Sequence, residues 1–290
     1  MLLGGPMRDE EVRAKARKLR DLVEVVAASV YFLPEAHKNY AALGLPDFGP
    51  AYFTSRGACM GQVPGEVVAA AFGVFNPAIV IPAVDEGWSR TDRDTILLAR
   101  EAGAVDGLTR LLGESPDGMA RATEILTRAG YAASGEGRAL YSGLLSLGFP
   151  GTPMGDFWRA ADLVREHRGD SHIIAWVAYG LDPIQATLST ELWWRLPLRS
   201  YVRTRGWSDE QIDAALEDLR ARGLVDGDAF SAEGEELRGD IELSTDRQER
   251  SIVQAIGDDF EELCTILTPM KDAIVAGGGY PRDPATMTRP

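Results

Sequence analysis

The residues best suited to chemistry lie in one short run, residues 166–172 (EHRGDSH), which holds two of the chain's three histidines. His167, Asp170 and His172 could offer nitrogen and oxygen ligands to a divalent metal. Their spacing is not the i, i+4 pair that aligns two ligands on one continuous helix. Gly169 is expected to separate a helix over 156–167 from another over 170–179, so the three would straddle a junction. Asp170 then reads as the N-cap of the second helix. His167 reads as a C-terminal residue that favours the helix dipole when charged. On that balance no metal is assigned. The junction is instead a candidate polar site, where free N–H groups at a helix start, with Arg168, would take an anion or a polar small molecule.

Two further stretches mix aromatic surface with polar groups, as small-molecule pockets do. In residues 30–40 (VYFLPEAHKNY) these are Tyr31, Phe32, Glu35, His37 and Tyr40. The competing reading is a helix start that packs its rings inward, with Glu35 favouring the dipole. In residues 51–57 (AYFTSRG), Arg56 stands beside aromatic residues. It would anchor a ligand carboxylate, or pair with a buried acid such as Glu35. The candidate ligand-binding set is therefore Tyr31, Glu35, His37, Arg56, His167, Arg168, Asp170 and His172. The chain carries no GxGxxG, P-loop, GxSxG or HExxH pattern. No catalytic residue is assigned and no cofactor is implied.

These residues need elements to position them, and the pattern of those elements is mainly α. Helices are expected over 8–30, over 34–43 up to Gly44, and over 65–75 behind Pro64. The last is apolar on nearly all sides and should be buried. Gly49-Pro50 reads as a turn, and another helix begins at Pro77. An amphipathic helix spans 92–112, and Ser115-Pro116 reads as N-cap and N1 of the next. Asp182-Pro183 opens a helix to about Trp194. A closing helix spans 252–275, with a possible kink at Pro269. Residues 277–290, rich in Gly and Pro, read as a loose tail.

The most structured signal is residues 205–239. Ser208 with Gln211 three residues later has capping-box spacing. Ile212, Leu216 and Leu219 form one apolar stripe. Gly223 suits a left-handed helix end. Leu224-Val225, the turn Asp226-Gly227-Asp228, and Ala229-Phe230 make a short hairpin. Ser231 can then cap a helix through Leu237 and Ile241. Helix, β-ribbon and helix in that order spell a winged-helix module. The expected organisation is a helical, ligand-binding region over 1–190, a winged-helix module over 191–250, and a closing helix with tail over 251–290.

Such modules usually touch nucleic acid, and charge opposes it here. The formal net charge is −14, which repels a phosphate backbone or an anionic membrane surface at long range. The helix that would read the groove holds Asp209, Glu210, Asp213, Glu217 and Asp218 against Arg220 and Arg222. The plausible phosphate contacts are Arg195, Arg199 and Arg203, spaced every four residues on a helix started by Pro197, and Arg205 after them. Their competing role is to pair with the acids of the next helix. No apolar run reaches the roughly 18–20 residues that span a bilayer, and MLLGGPM lacks the charged and apolar regions of a signal peptide. Cys59 and Cys264 form neither a CxxC pair nor a disulfide framework, which suits a cytoplasmic protein with two small buried thiols.

Taken together, VYFLPEAHKNYAALGL, PGEVVAAAFGVFNPAIV, LVREHRGDSHIIAW followed by GLDP, and RGWSDEQIDAALEDLRARGLVDG with SAEGEELRGDIELSTDR resemble an actinobacterial helix-turn-helix family. That family is winged-helix and loosely MarR-like, and the resemblance covers about residues 8–276. It implies a helical region joined to a winged helix in a cytoplasmic protein, often near specialised metabolism. By analogy with winged-helix regulators it also implies a homodimer. The acidic reading helix departs from what a MarR-type repressor needs. Two functions follow as expectations. One is a ligand-responsive, regulator-like protein that binds a small molecule and, charge permitting, DNA. The other is a non-DNA enzyme or sequestering binder that uses the winged helix for packing or dimerisation.

Overall fold

The architecture is mainly α, with one two-stranded antiparallel hairpin among the residues described, 7–282, of the computed structural model. The helices are α1 (Asp9–Ala28), α2 (Pro34–Ala42), α3 (Phe48–Gly57), α4 (Gly65–Phe72), α5 (Pro77–Arg90), α6 (Arg93–Leu112) and α7 (Met119–Tyr131). They continue as α8 (Ala139–Leu147), α9 (Pro153–Ala178), α10 (Pro183–Trp194) and α11 (Asp209–Ala221). After β1 (Val225–Asp226) and β2 (Ala229–Phe230) come α12 (Ala232–Gln248), α13 (Arg250–Ile256) and α14 (Phe260–Ala276).

The largest core lies where α1, α6, α7, α9 and α14 meet, around Leu19, Val26, Leu108, Leu126, Trp158 and Leu267. Trp158 on α9 donates its indole N–H to the carbonyl of Ala27 at 3.1 Å, so the buried ring also spends its one polar atom. A second core belongs to the winged helix, with Leu188, Ile212, Leu216, Leu219, Val225 and Ile241. A third packs Phe53, Phe72 and Phe75 beside Tyr141 and Leu163. The closing segment enters the first core through Ile252, Phe260, Leu263 and Ile274.

Local chemistry accounts for the winged helix. Ser208 and Gln211 form the reciprocal capping box of α11, and Asp182 with Gln185 forms another on α10. Gly223 adopts φ +72° after α11. Val225 pairs with Phe230 and Asp226 with Ala229. Ser231 accepts the N–H of Gly234 at 3.0 Å and starts α12.

Elsewhere the fold departs from the sequence-based expectations. Residues 153–178 form one helix rather than two. Gly169 sits inside it, because a mid-helix glycine costs only about 1 kcal/mol and packing on several sides outweighs that. Gly49-Pro50 lies in the first turn of α3, where the N–H that proline lacks would be unpaired anyway. Ser115-Pro116 precedes α7, which starts at Met119 behind a left-handed Gly118. Val67 leaves one side of α4 exposed. The closing helix is divided at Gly257, φ +59°, whereas Pro269 lies within α14. The beginning of the expected loose tail is docked, with Tyr280 edge-on to Phe32 at 5.4 Å between ring centroids. Residues 283–290, like residues 1–6, lie outside the described residues.

The tight crossing of α2 and α6 makes one test of this packing. A Cβ on Gly103 would overlap the backbone of Ala36, and one on Gly107 would come within 2.5 Å of Leu33. Gly103→Ala should therefore destabilise the fold by about 1–3 kcal/mol, despite the better helix propensity of alanine. Chemical denaturation measures this, and an unchanged midpoint would refute the crossing.

Candidate functional site

Helical spacing on α9 builds the floor of a large cleft. Arg165, Gly169, His172, Ile173 and Trp176 recur at intervals of three and four, so they share one face. This face meets Glu24 of α1 and the α3 face of Phe48, Tyr52 and Arg56. The opposite wall is Trp194 with the segment 199–205 that leads into α11, and Tyr280 adds a ring. The chamber measures about 1070 Å³. A neighbouring chamber of about 260 Å³ shares Glu24, Arg165, Gly169, His172 and Trp176, and adds Arg168 and Arg238. The cleft thus lies between the helical region and the winged helix.

A buried charge cluster sets its floor. The Glu166 carboxylate receives Arg56 in a bidentate pair, Nε–Oε1 2.8 Å and Nη2–Oε2 2.7 Å. Arg165 Nη1 donates to Oε1 at 2.6 Å, and its Nε reaches Glu24 at 3.1 Å. Burial would raise the Glu166 pKa, but the guanidinium groups of Arg165 and Arg56 outweigh it and hold the carboxyl well below its usual range. The Tyr31 hydroxyl sits 3.2 Å from Arg100 and 3.4 Å from Arg165. Burial drives that phenol upward, and the arginines pull it only partly back.

The EHRGDSH run turns out to be a packing seam as much as a site. His167 Nδ1 lies 2.7 Å from Glu249, and its ring stands edge-on to Tyr141 at 5.0 Å. Arg168 donates to Asp246 at 2.9 Å. His172 Nδ1 lies 3.0 Å from the Thr245 hydroxyl. Burial first, then the Arg238 charge, brings the His172 pKa down to about 4, so the ring is neutral near pH 7. Asp170 does not cap a helix. It sits within α9, buried, and accepts the N–H of Tyr141 at 3.0 Å. With no helix start at Asp170, the free N–H groups expected there are spent inside α9, and His167 is far from a helix C-terminus. Among the described residues, no group of three or more His, Cys, Asp or Glu side chains could hold a metal ion.

Of the residues singled out from the sequence, Tyr31, Arg56, Arg168 and His172 line the cleft. Glu35 is on the surface, paired with Arg110, so Arg56 finds Glu166 instead. His37 is exposed, with Nε2 2.9 Å from the Tyr31 carbonyl, and lines a separate pocket of about 90 Å³. His167 and Asp170 lie behind the floor. Arg165, Trp176, Trp194, Tyr201 and Arg238 were not anticipated. The α9 members among them were readable from the 165, 169, 172, 176 spacing, once the helix is taken as continuous.

The arginine stripe is not helical. Arg195 ends α10 in the left-handed region at φ 56°, and Arg199 has φ 69°. A short 3-10 turn spans Val202–Arg205. Arg199 pairs with Asp213 at 2.6 Å and Arg203 with Asp209 at 2.9 Å, both acids of α11. Arg205 lies over the rings of Tyr201 at 4.1 Å and Phe75 at 4.6 Å. Arg199, Arg203 and Arg205 line the cleft, and Arg195 does not. What this lining offers chemically is recognition, through aromatic faces for stacking and guanidinium N–H groups for acceptors.

The winged helix and its joint with a helical region define a helix-turn-helix protein. The chain belongs to the Helix-turn-helix family, whose model matches residues 16–281. No curated protein and no solved structure matches it. No helix among the described residues is long and apolar enough to cross a membrane.

Asp170 gives the seam a pH signature. Burial pushes its carboxyl up to about 7, while in the unfolded chain it titrates near 4. Between those values the native state holds the extra proton, so this group's contribution to stability falls as pH rises from about 4 to about 7 and is level above. Asp170→Asn should gain on the wild type across that window by up to a few kcal/mol. Urea unfolding at stepped pH measures the difference, and parallel curves would contradict it.

Proposed function

We propose that the protein is a ligand-responsive winged-helix protein, regulator-like in build, which takes a small molecule in the cleft between its helical region and its winged helix. One observation carries the reading. The segment 199–205 walls the cleft on one side and grips α11 on the other, through Arg199–Asp213 and Arg203–Asp209. A molecule in the cleft touches that segment directly, so occupancy and the setting of α11 are linked through it. The chamber volume is at the upper end of small-molecule sites.

A second reading keeps the ligand and drops the DNA. Asp209, Glu210, Asp213, Glu217 and Asp218 are all exposed on α11, and a duplex phosphate backbone would be repelled by them. In that case the winged helix is a wall or a dimerisation element of a sequestering binder or an enzyme.

Gly169 supplies the test. A Cβ there meets nothing closer than Glu166 Oε2 at 3.5 Å, and the backbone is helical, so a larger side chain fits the helix and projects into the cleft. Gly169→Ala should raise stability by about 1 kcal/mol. Gly169→Leu should melt no lower than the wild type yet lose any small molecule that co-purifies, read by native mass spectrometry. Retention by Gly169→Leu would refute the cleft as the site. For the DNA arm, anisotropy with a generic duplex should show weak binding that rising salt abolishes and that Arg199→Ala with Arg203→Ala weakens further. No binding even at low salt would leave the second reading.

A further inference from the structure

The cleft lining has an imbalance that specifies its occupant. Among the described residues, the buried side-chain nitrogens and oxygens of the lining that lack a hydrogen-bond partner are Arg205 Nε, Arg168 Nη1 and Arg238 Nε. All three are donors and all three are guanidinium groups. A buried donor left unsatisfied is costly, so the lining favours a molecule rich in acceptors.

The three differ in charge balance. Arg168 already faces Asp246 and Glu242, at 2.9 and 3.6 Å. Arg238 faces Glu242 at 2.6 Å. A further anion beside them would meet those carboxylates. In the larger chamber, Arg56 and Arg165 share Glu166 and Glu24, and Arg199 and Arg203 hold the acids of α11. Arg205 is paired with no carboxylate among the described residues. Its guanidinium is held between the Phe75 and Tyr201 rings. Stacking orients the planar fork and leaves its edge for an oxyanion. Trp176, Trp194, Tyr52 and Tyr280 line the same chamber.

We propose that the cleft binds an aromatic oxyanion: an aromatic body among these rings, its acidic group on Arg205, with neutral carbonyl or hydroxyl oxygens reaching Arg168 and Arg238 in the neighbouring chamber. The proposal rests on the cleft being a ligand site and adds the chemistry of the ligand. In a protein of net charge −14, one uncompensated guanidinium inside the cleft is what recruits an anion there. An aromatic cation or a purely neutral molecule gains nothing from it.

Two dyes of nearly the same shape test this. Anilinonaphthalene sulfonate carries the anion, and N-phenylnaphthylamine is its neutral counterpart. Both brighten in apolar sites, so fluorescence titration of the full chain gives their affinities. The wild type should bind the sulfonate more tightly. Arg205→Met should weaken the sulfonate roughly tenfold, the loss of about one charged contact, and leave the neutral dye within about twofold. Arg205→Lys should recover part of the loss. Equal weakening of both dyes would make Arg205 a packing residue and overturn the assignment, as would no change in either. Gly169→Leu separates the levels. If it leaves both dyes bound as before, they are not in the cleft, and the ligand-site reading fails together with the anion assignment.

Discussion

The rest of the cleft depends on one buried carboxylate. Glu166 is 2% exposed, and an unpaired acid at that depth would cost several kcal/mol. It is tolerated because Arg56 arrives from α3 with bidentate geometry and Arg165 closes from its own helix. Arg165 in turn reaches Glu24 on α1. Three helices are thereby set in register by groups that cannot slide without stranding a charge. The aromatic face of α3, the floor of α9 and the inner edge of α1 are the surfaces so fixed. Within the next two turns, Arg168, His167 and His172 meet Asp246, Glu249 and Thr245 of α12 and its C-terminal end. The same helix therefore ties the helical region to the last helix of the winged module.

What was legible in the sequence follows from how local its cause is. The capping box at Ser208, the cap at Asp182, the left-handed Gly223 and the Asp226–Asp228 turn are each decided within a few residues, and all of them formed. The α9 seam is the opposite case. A run of charged residues with a central glycine has the local signature of a break. It is helical because partners more than 70 residues distant satisfy it, such as Glu249 for His167 and Asp246 for Arg168. Tyr31 and Arg56 could be recognised as polar groups in aromatic company, and His172 as part of a polar run. Their convergence could not, because it requires α3 and α9 to pack together. Arg238, on α12, has no local signal at all.

The i, i+4 arginines mislead for a different reason. Pro197 and two left-handed residues, Arg195 and Arg199, stop helix growth there. The freed backbone donors go to another buried acid: Glu191 accepts the N–H groups of Arg199 and Val202, both at 2.7 Å. An irregular segment is thus held as firmly as a helix would be, while its side chains fan to both sides. Burial raises the Glu191 pKa against the pull of those N–H groups. The cost of burying it secures a wall that no regular helix would provide.

This wall is a second joint between the two regions, beside the α9–α12 seam. Arg199 and Arg203 are spent on exposed acids of α11, and such exposed pairs are worth about 0–1 kcal/mol each. They hold α11 lightly and can exchange partners at little cost. A ligand shifts an equilibrium only by its differential affinity for the two states. One that touched α9 and α3 alone would make no contact with this wall. Among the described residues of the wall, the one with a buried donor that has no partner is Arg205, two residues beyond Arg203 and three before the Ser208 cap. On the reading proposed above, an acceptor that engaged Arg205 would act on the part of the cleft that runs directly into α11, while the Glu166 cluster holds the opposite wall.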